Sequence, residues 1–210
     1  VTGRTLALDL DGTLLDCRPR QVLALDAVLG QPYGEPEAFW EAKRAGATTR
    51  EALIALGMAE SLADGVAQRW RVTVEDDELL LVDTVLPDVE RALATARSHV
   101  DRLTVITARR RGDAVRSQCE RLGLIGQIDD VLTVDPVSAA EHKAVVLSEI
   151  SAIGFIGDTA SDARAAAAAG LPFAAVTTGQ HTREVLQRTI DAPVVDSLSE
   201  AVSLVLGQPG

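Results

Sequence analysis

The chain has 210 residues, enough for one packed domain or for a core carrying a smaller insert. Hydrophobic residues make up 47% of it and aromatics only 3%, so the core must be built from Leu, Val, Ile and Ala. A formal net charge of −11 argues against nonspecific nucleic-acid binding, which needs a basic surface, but leaves room for a small anionic ligand held by a metal ion and a few Lys or Arg side chains.

The start, Val1-Thr2-Gly3-Arg4, has no secretory hydrophobic region, and no apolar run approaches the ~20 residues of a membrane span. Cys17 and Cys119 offer neither a disulfide framework nor metal-ligand spacing. A soluble, cytoplasmic protein is expected, with no membrane partner.

Thr5 to Leu8 is the first buried-strand candidate, and it runs into Asp9-Leu10-Asp11-Gly12-Thr13. Side chains alternate along an extended backbone, so Asp9 and Asp11 point the same way. Two close carboxylates repel unless a cation sits between them or one is protonated. Either outcome suits phosphoryl chemistry, with one carboxylate attacking and the other moving a proton. Gly12 lets the chain turn sharply beside a substrate.

From about Arg18 to Val82 no strand is evident, only helical patterns broken by Gly30, Pro32, Gly34, Pro36, Gly46 and Gly57. Leu23, Ala27 and Val28 recur at helical spacing, as do Ala52, Leu53 and Leu56. This predicts a small all-helical insert, with Pro19 and Pro87 near its ends. Beyond it, strand candidates (Leu103 to Ile106, Ile128 to Val134, Ile153 to Ile156, Phe173 to Val176) alternate with helices. Those helices are Asp88 to Ser98, Gly112 to Leu122, Ala139 to Ile150 and Ser161 to Ala169. Gly123 and Gly170 fall where helix C-termini want a left-handed residue. The alternation implies βαβ units and a parallel sheet covered on both faces, with a ligand site at the carboxyl ends of its strands.

Further candidates stand at those ends. Thr107 closes a strand and could donate to a phosphoryl oxygen; alone it would read as a helix N-cap. Lys143 lies near the start of a helix, where a lone lysine would read as a solvated charge. Gly157-Asp158-Thr159-Ala160-Ser161-Asp162 places two acids four apart beyond a strand, a spacing suited to a hard divalent cation. The three histidines form no pair with metal-ligand spacing, which disfavours zinc.

Together, D-L-D-G-T-L-L-D, V-I-T-A-R, Lys143 and G-D-T-A-S-D resemble the haloacid dehalogenase-like hydrolase superfamily, in its phosphatase branch. The order and spacing of these motifs match over nearly the whole chain. The resemblance implies an α/β fold: a Rossmann-like three-layer core with a central parallel sheet, plus an inserted all-helical cap domain. Residues 1–17 and 83–210 would form the core and 18–82 the cap, as in the phosphoglycolate phosphatase and β-phosphoglucomutase group.

It further implies a magnesium-dependent phosphomonoesterase acting on a small phosphorylated metabolite through an aspartyl-phosphate. Asp9 would be the nucleophile and Asp11 the acid and base, with Thr107 and Lys143 stabilising the transferring oxygens. Mg2+ would be held by Asp9, the backbone carbonyl of Asp11, Asp158 and, through water, Asp162. Gly12, Thr13, Ala108 and Arg109 would lie against the substrate. Arg109 to Arg111 could steer an anion or be solvated arginines at a helix start. In Phe39-Trp40-Glu41-Ala42-Lys43-Arg44-Ala45-Gly46, which resembles a cap segment facing the site, Lys43 and Arg44 would read the substrate's second polar group, while Trp40 reads as cap core. The dehalogenase branch lacks the second acid, so Asp11 favours phosphate chemistry. A sugar phosphomutase and a catalytically silent magnesium-binding regulator are the alternatives; a monomer or homodimer is expected.

Overall fold

The structure, a computed structural model, describes residues 3–207, so Val1 and Thr2 of the expected start lie outside it. In chain order the elements begin with β1 (Thr5–Leu8), β2 (Leu15–Asp16), α1 (Arg18–Leu29), α2 (Pro36–Arg44), α3 (Thr49–Ala55), α4 (Glu60–Thr73), α5 (Asp77–Leu80) and β3 (Thr84–Val85). They continue with α6 (Val89–Arg97), β4 (Arg102–Thr107), α7 (Gly112–Arg121), β5 (Asp130–Thr133), α8 (Ala139–Glu149), β6 (Ala152–Gly157) and α9 (Ala160–Ala168). The last are β7 (Phe173–Val176), α10 (Arg183–Thr189), β8 (Val194–Val195) and α11 (Leu198–Val205).

Six strands form one parallel sheet in the order β5-β4-β1-β6-β7-β8. β1 is central and buried throughout, with Leu6 and Leu8 entering one apolar cluster and Ala7 the other. That is why a short unbroken apolar run makes a strand here: both faces are covered. Leu93 of α6, Val115 of α7 and Val202 of α11 pack on the first face. Leu147 of α8, Ala165 and Ala166 of α9 and Leu186 of α10 pack on the second. The three-layer α/β architecture is the expected one. The segment after Val176, for which the sequence pattern gave no element, adds α10, the edge strand β8 and α11.

The five helices α1 to α5 lie between β2 and β3. They enclose an apolar cluster of their own, with Leu25, Phe39, Leu53, Val66 and Trp70 at its centre. No strand falls between Arg18 and Val82, as expected, but β2 and β3 pair antiparallel at its two ends. Two residues per strand are too few to leave a periodic signal. One expectation fails in α1. Leu23 and Ala27 are exposed, and the buried stripe runs through Arg20, Gln21, Ala24 and Leu25. Two polar residues occupy the inward face because α1 faces a polar cavity as well as its neighbours, and this disguises the amphipathic pattern.

Candidate active site

Three adjacent strands end at one edge of the sheet: β4 at Thr107, β1 just before Asp9, and β6 just before Asp158. Parallel strands bring their carboxyl ends together, and the crevice outside them is where an open α/β sheet binds ligands. A cavity of about 330 Å³ lies over this edge. Asp9, Asp11, Thr107, Ala108, Lys143, Asp158 and Asp162 line it from the sheet side, and Arg20, Gln21, Lys43 and Trp70 from the helical segment.

Lys143 is buried because Ala140, Lys143 and Leu147 form the inward stripe of α8. Its Nζ donates to Asp9 Oδ1 at 2.5 Å and to Asp162 Oδ1 at 2.7 Å. Asp162 opens α9 in a capping box: its Oδ2 accepts from the Thr159 backbone N–H at 3.1 Å, and Thr159 Oγ1 accepts in return from the Asp162 N–H at 3.3 Å. Asp158 Oδ2 accepts from the Gln180 N–H at 2.6 Å, while its Oδ1 is buried with no partner among the described residues.

Asp9, Asp158 and Asp162 each place a carboxylate oxygen within 4.8 Å of the others. Three carboxylates therefore share one ammonium, that of Lys143, which leaves the group two positive charges short. The electrostatics reflect this. Burial pushes Asp158 well above the usual carboxylate range, with Asp9 and Asp162 adding to the effect. Asp9 is also raised, by burial and by Asp162, against the pull of Lys143. A divalent cation with a taste for oxygen ligands would correct the imbalance, so the donor set, the charge deficit and the orphaned Asp158 Oδ1 all fit Mg2+.

The Asp11 carboxylate is held differently. Its Oδ1 accepts from Arg20 Nη2 at 2.7 Å and from Arg109 Nη2, and its Oδ2 accepts from Arg109 Nε at 2.8 Å. Burial would raise its pKa, but the guanidiniums of Arg109 and Arg20 outweigh that and hold it below the ordinary range. With its side chain committed to arginines, Asp11 keeps its carboxylate out of the group formed by Asp9, Asp158 and Asp162.

Arg109 to Arg111 all have partners in the fold, and Arg109 and Arg110 line the cavity. Arg109 is buried on Asp11 and also donates to Gln118 Oε1 at 2.9 Å. Arg110 and Arg111 both donate backbone N–H groups to Glu75 Oε2, and Arg111 Nη2 pairs with Asp77 at 2.8 Å. They dock the loop after β4 onto the end of α4.

Gly12 takes φ +78°, and a Cβ there would lie 2.5 Å from Asp158 Oδ2. Gly179 packs against the same turn: a Cβ on Gly12 would also lie 2.6 Å from the Gly179 Cα, and a Cβ on Gly179 would stand 2.0 Å from the same Asp158 oxygen. Thr13 is buried beside the loop but does not line the cavity, and its Oγ1 has no partner among the described residues. Arg44 also lies off the cavity: its Nη2 donates to the Thr177 carbonyl at 3.3 Å, joining α2 to the loop after β7. Trp40 is buried, and the indole on the cavity wall is instead that of Trp70. Arg20, Gln21, Glu75, Trp70 and Gln180 are among the cavity residues the sequence did not reveal.

Lys43 does line the cavity. Its buried ammonium donates to Thr49 Oγ1 at 3.1 Å and stands 5.0 Å over the Trp70 ring. Burial, helped by Arg71, pulls its pKa down to about 8. The folded state thus binds fewer protons than the unfolded chain from about pH 8 to the ordinary lysine value near 10.4, and stability rises with pH across that window. Lys43→Met should therefore stabilise the fold at pH 7, by about 1–3 kcal/mol. That gain should fade as the pH approaches 10, as followed by urea unfolding at each pH.

The family described as haloacid dehalogenase-like hydrolase matches residues 4–170. A phosphoglycolate phosphatase of Caulobacter vibrioides is 27% identical over 208 residues, covering 93% of this chain and 87% of that protein. A plasmid-borne phosphoglycolate phosphatase of Cupriavidus necator is 30% identical over 188 residues, covering 82% of this chain and 80% of its own length. Among solved structures, one titled a putative phosphoglycolate phosphatase from Lactobacillus delbrueckii superposes with a TM-score of 0.77 at 17% identity, over 99% of this chain and 100% of that one. One titled a putative β-phosphoglucomutase from Thermotoga maritima gives 0.65 at 21% identity, over 96% and 97%. At those identities the structural likeness speaks for the fold.

Proposed function

The chain belongs to the haloacid dehalogenase-like hydrolases and is a hydrolase of the phosphatase type; from that premise we propose that it is a magnesium-dependent phosphomonoesterase acting through an aspartyl-phosphate at Asp9. The observation that carries this reading is the one-ammonium, three-carboxylate cluster at the end of the central strand, with a separately held fourth carboxylate beside it. The substrate would be a small phosphorylated metabolite. 2-Phosphoglycolate is the first to try, because the curated relatives are named for it. Residues 18–82 would be the cap, and 1–17 with 83–210 the core.

Asp9, Asp158, Asp162 and the Asp11 carbonyl would hold Mg2+, which when bound neutralises charge on the phosphoryl group. Asp9 attacks phosphorus in line, forming the acyl phosphate as the ester oxygen departs. Lys143 and Thr107 offer donors to the transferring oxygens, a role that gains strength in a buried site. Asp11 gives the leaving oxygen its proton and then takes one from the water that splits the acyl phosphate. Its present hydrogen bonds suit the accepting form; to carry a proton it must give up at least one guanidinium contact.

The reading is tested by phosphate release from a panel of phosphomonoesters. Release should vanish with EDTA, return with Mg2+, and occur without isomerisation of any sugar phosphate. Mg2+ should also raise the melting temperature by mass action, and Asp158→Asn should remove both effects. Metal-independent hydrolysis would refute the assignment.

A further inference from the structure

Arg20 belongs to none of the motifs that define the site, yet it is the most heavily committed charge around it. It stands in the first turn of α1, with its side chain 3% exposed. Nε donates to both oxygens of Asp83, at 3.1 and 2.8 Å, and Nη1 donates to the Val74 carbonyl at 2.9 Å. Nη2 reaches Asp11 Oδ1 at 2.7 Å. Asp83 lies just before β3, and Val74 just after α4. Gln118 of α7 completes the ring, donating to Asp83 Oδ2 at 2.8 Å and to the Leu80 carbonyl at 3.0 Å while accepting from Arg109.

Tying together the two chain crossings between helices and sheet would require only the Arg20–Asp83 pair. The contact with Asp11 exceeds that requirement. Asp11 is gripped by two guanidiniums, each fixed from behind: Arg109, which meets it with two nitrogens, by Gln118, and Arg20, which meets it with Nη2 alone, by Asp83 at the second crossing and the Val74 carbonyl after α4. A buried guanidinium anchored on one carboxylate and presenting its far nitrogen to another fixes both position and orientation, which a lysine, as a point charge, would do only in part.

We propose that Arg20 is a positioning residue for Asp11, setting where that carboxylate lies in the cavity and coupling its placement to the seating of α1 to α5 on the sheet. The inference rests on the reading of Asp11 as the group that moves protons in phosphoester hydrolysis. Arg20 acts through Asp11 and does not contact the phosphoryl group.

The test compares wild type, Arg20→Met, Arg20→Lys and, as control, the exposed Arg18→Ala, using p-nitrophenyl phosphate with Mg2+. Displacing a reacting group by about 1 Å can cost about 100-fold. Arg20→Met should accordingly lower kcat by about 10- to 100-fold while KM stays within about threefold. Arg20→Lys should recover part of the loss, and Arg18→Ala should match wild type. A rise in KM at constant kcat would make Arg20 a substrate contact and overturn the proposal, as would unchanged kinetics. A fall in kcat that Arg20→Lys does not relieve would mark a merely structural role and overturn it too. Amide hydrogen exchange of the intact proteins supplies an arm independent of turnover. In Arg20→Met, exchange should quicken at both Gly12 to Leu15 and Thr84 to Leu86, and unchanged exchange there would overturn the coupling. Absence of phosphate release from wild type would instead count against the phosphatase reading, leaving the exchange result to judge the tie.

Discussion

Asp9→Asn is expected to abolish phosphate release, with kcat falling by at least about 1,000-fold while the protein stays folded. The amide has the same shape but no nucleophilic oxygen. It also removes one of the three carboxylates that share a single ammonium, so the metal-free fold should lose nothing and its melting temperature should hold or rise. Lys143 keeps its second partner, Asp162, 2.7 Å away, which guards the local packing. Steady-state phosphate release and thermal unfolding, measured on the same preparation, separate the two effects. Retention of even a tenth of wild-type kcat in Asp9→Asn would remove Asp9 as the attacking group.

Lys143→Met should produce the second-largest loss, and through a different cause. The methionine fits the inward stripe of α8 but leaves Asp9 and Asp162 without their buried counter-charge. Removing one partner of a buried ion pair typically costs about 3–5 kcal/mol, because the other charge stays behind desolvated. Here the metal-free variant should be destabilised by about that much, and Mg2+ should restore more stability to it than to wild type. Turnover should fall by about 100- to 1,000-fold, since a donor to the transferring oxygens is lost. A variant as stable as wild type in EDTA would show that the ammonium does not balance those carboxylates.

The two predictions draw on parts of the site that were unequally visible in the sequence. Asp9 and Asp11 were legible because a buried strand has a fixed period of two, and Asp158 with Asp162 because a strand end followed by a helix start fixes where both carboxylates go. Arg20, Asp83 and Gln118 were not. Their partners lie up to 63 residues away, and a charged residue in a helix carries no local sign that it is buried. Arg109 was noticed as one of three adjacent arginines, but nothing in V-I-T-A-R says that its guanidinium folds back onto a carboxylate 98 positions earlier. In α1 the polar cavity reversed the ordinary reading: Arg20 and Gln21 face inward, and Leu23 faces out. The α/β core was legible for the opposite reason. Strands buried on both faces write themselves as apolar runs whatever lies around them, whereas β2 and β3, two residues each, leave no period to detect.

Positive side chains gather locally in this acidic protein. The chain carries −11 overall, yet Arg20, Lys43, Arg109 and Lys143 all line the same small cavity. Lys143 and the two arginines are answered by carboxylates, while Lys43 meets, among the described residues, a hydroxyl and an indole face. Selectivity for the part of the substrate beyond the phosphoryl group would therefore come from the α2–α4 side of the cavity.

The most direct test is chemical capture of the intermediate. Enzyme turning over p-nitrophenyl phosphate with Mg2+ is quenched and treated with borohydride, which reduces an aspartyl-phosphate to homoserine, and the peptide carrying residue 9 is sequenced by mass spectrometry. Homoserine at position 9, present with substrate and absent without it, is the expected result. Active enzyme that yields no homoserine at position 9, or yields it at another aspartate, would contradict aspartyl-phosphate chemistry at Asp9.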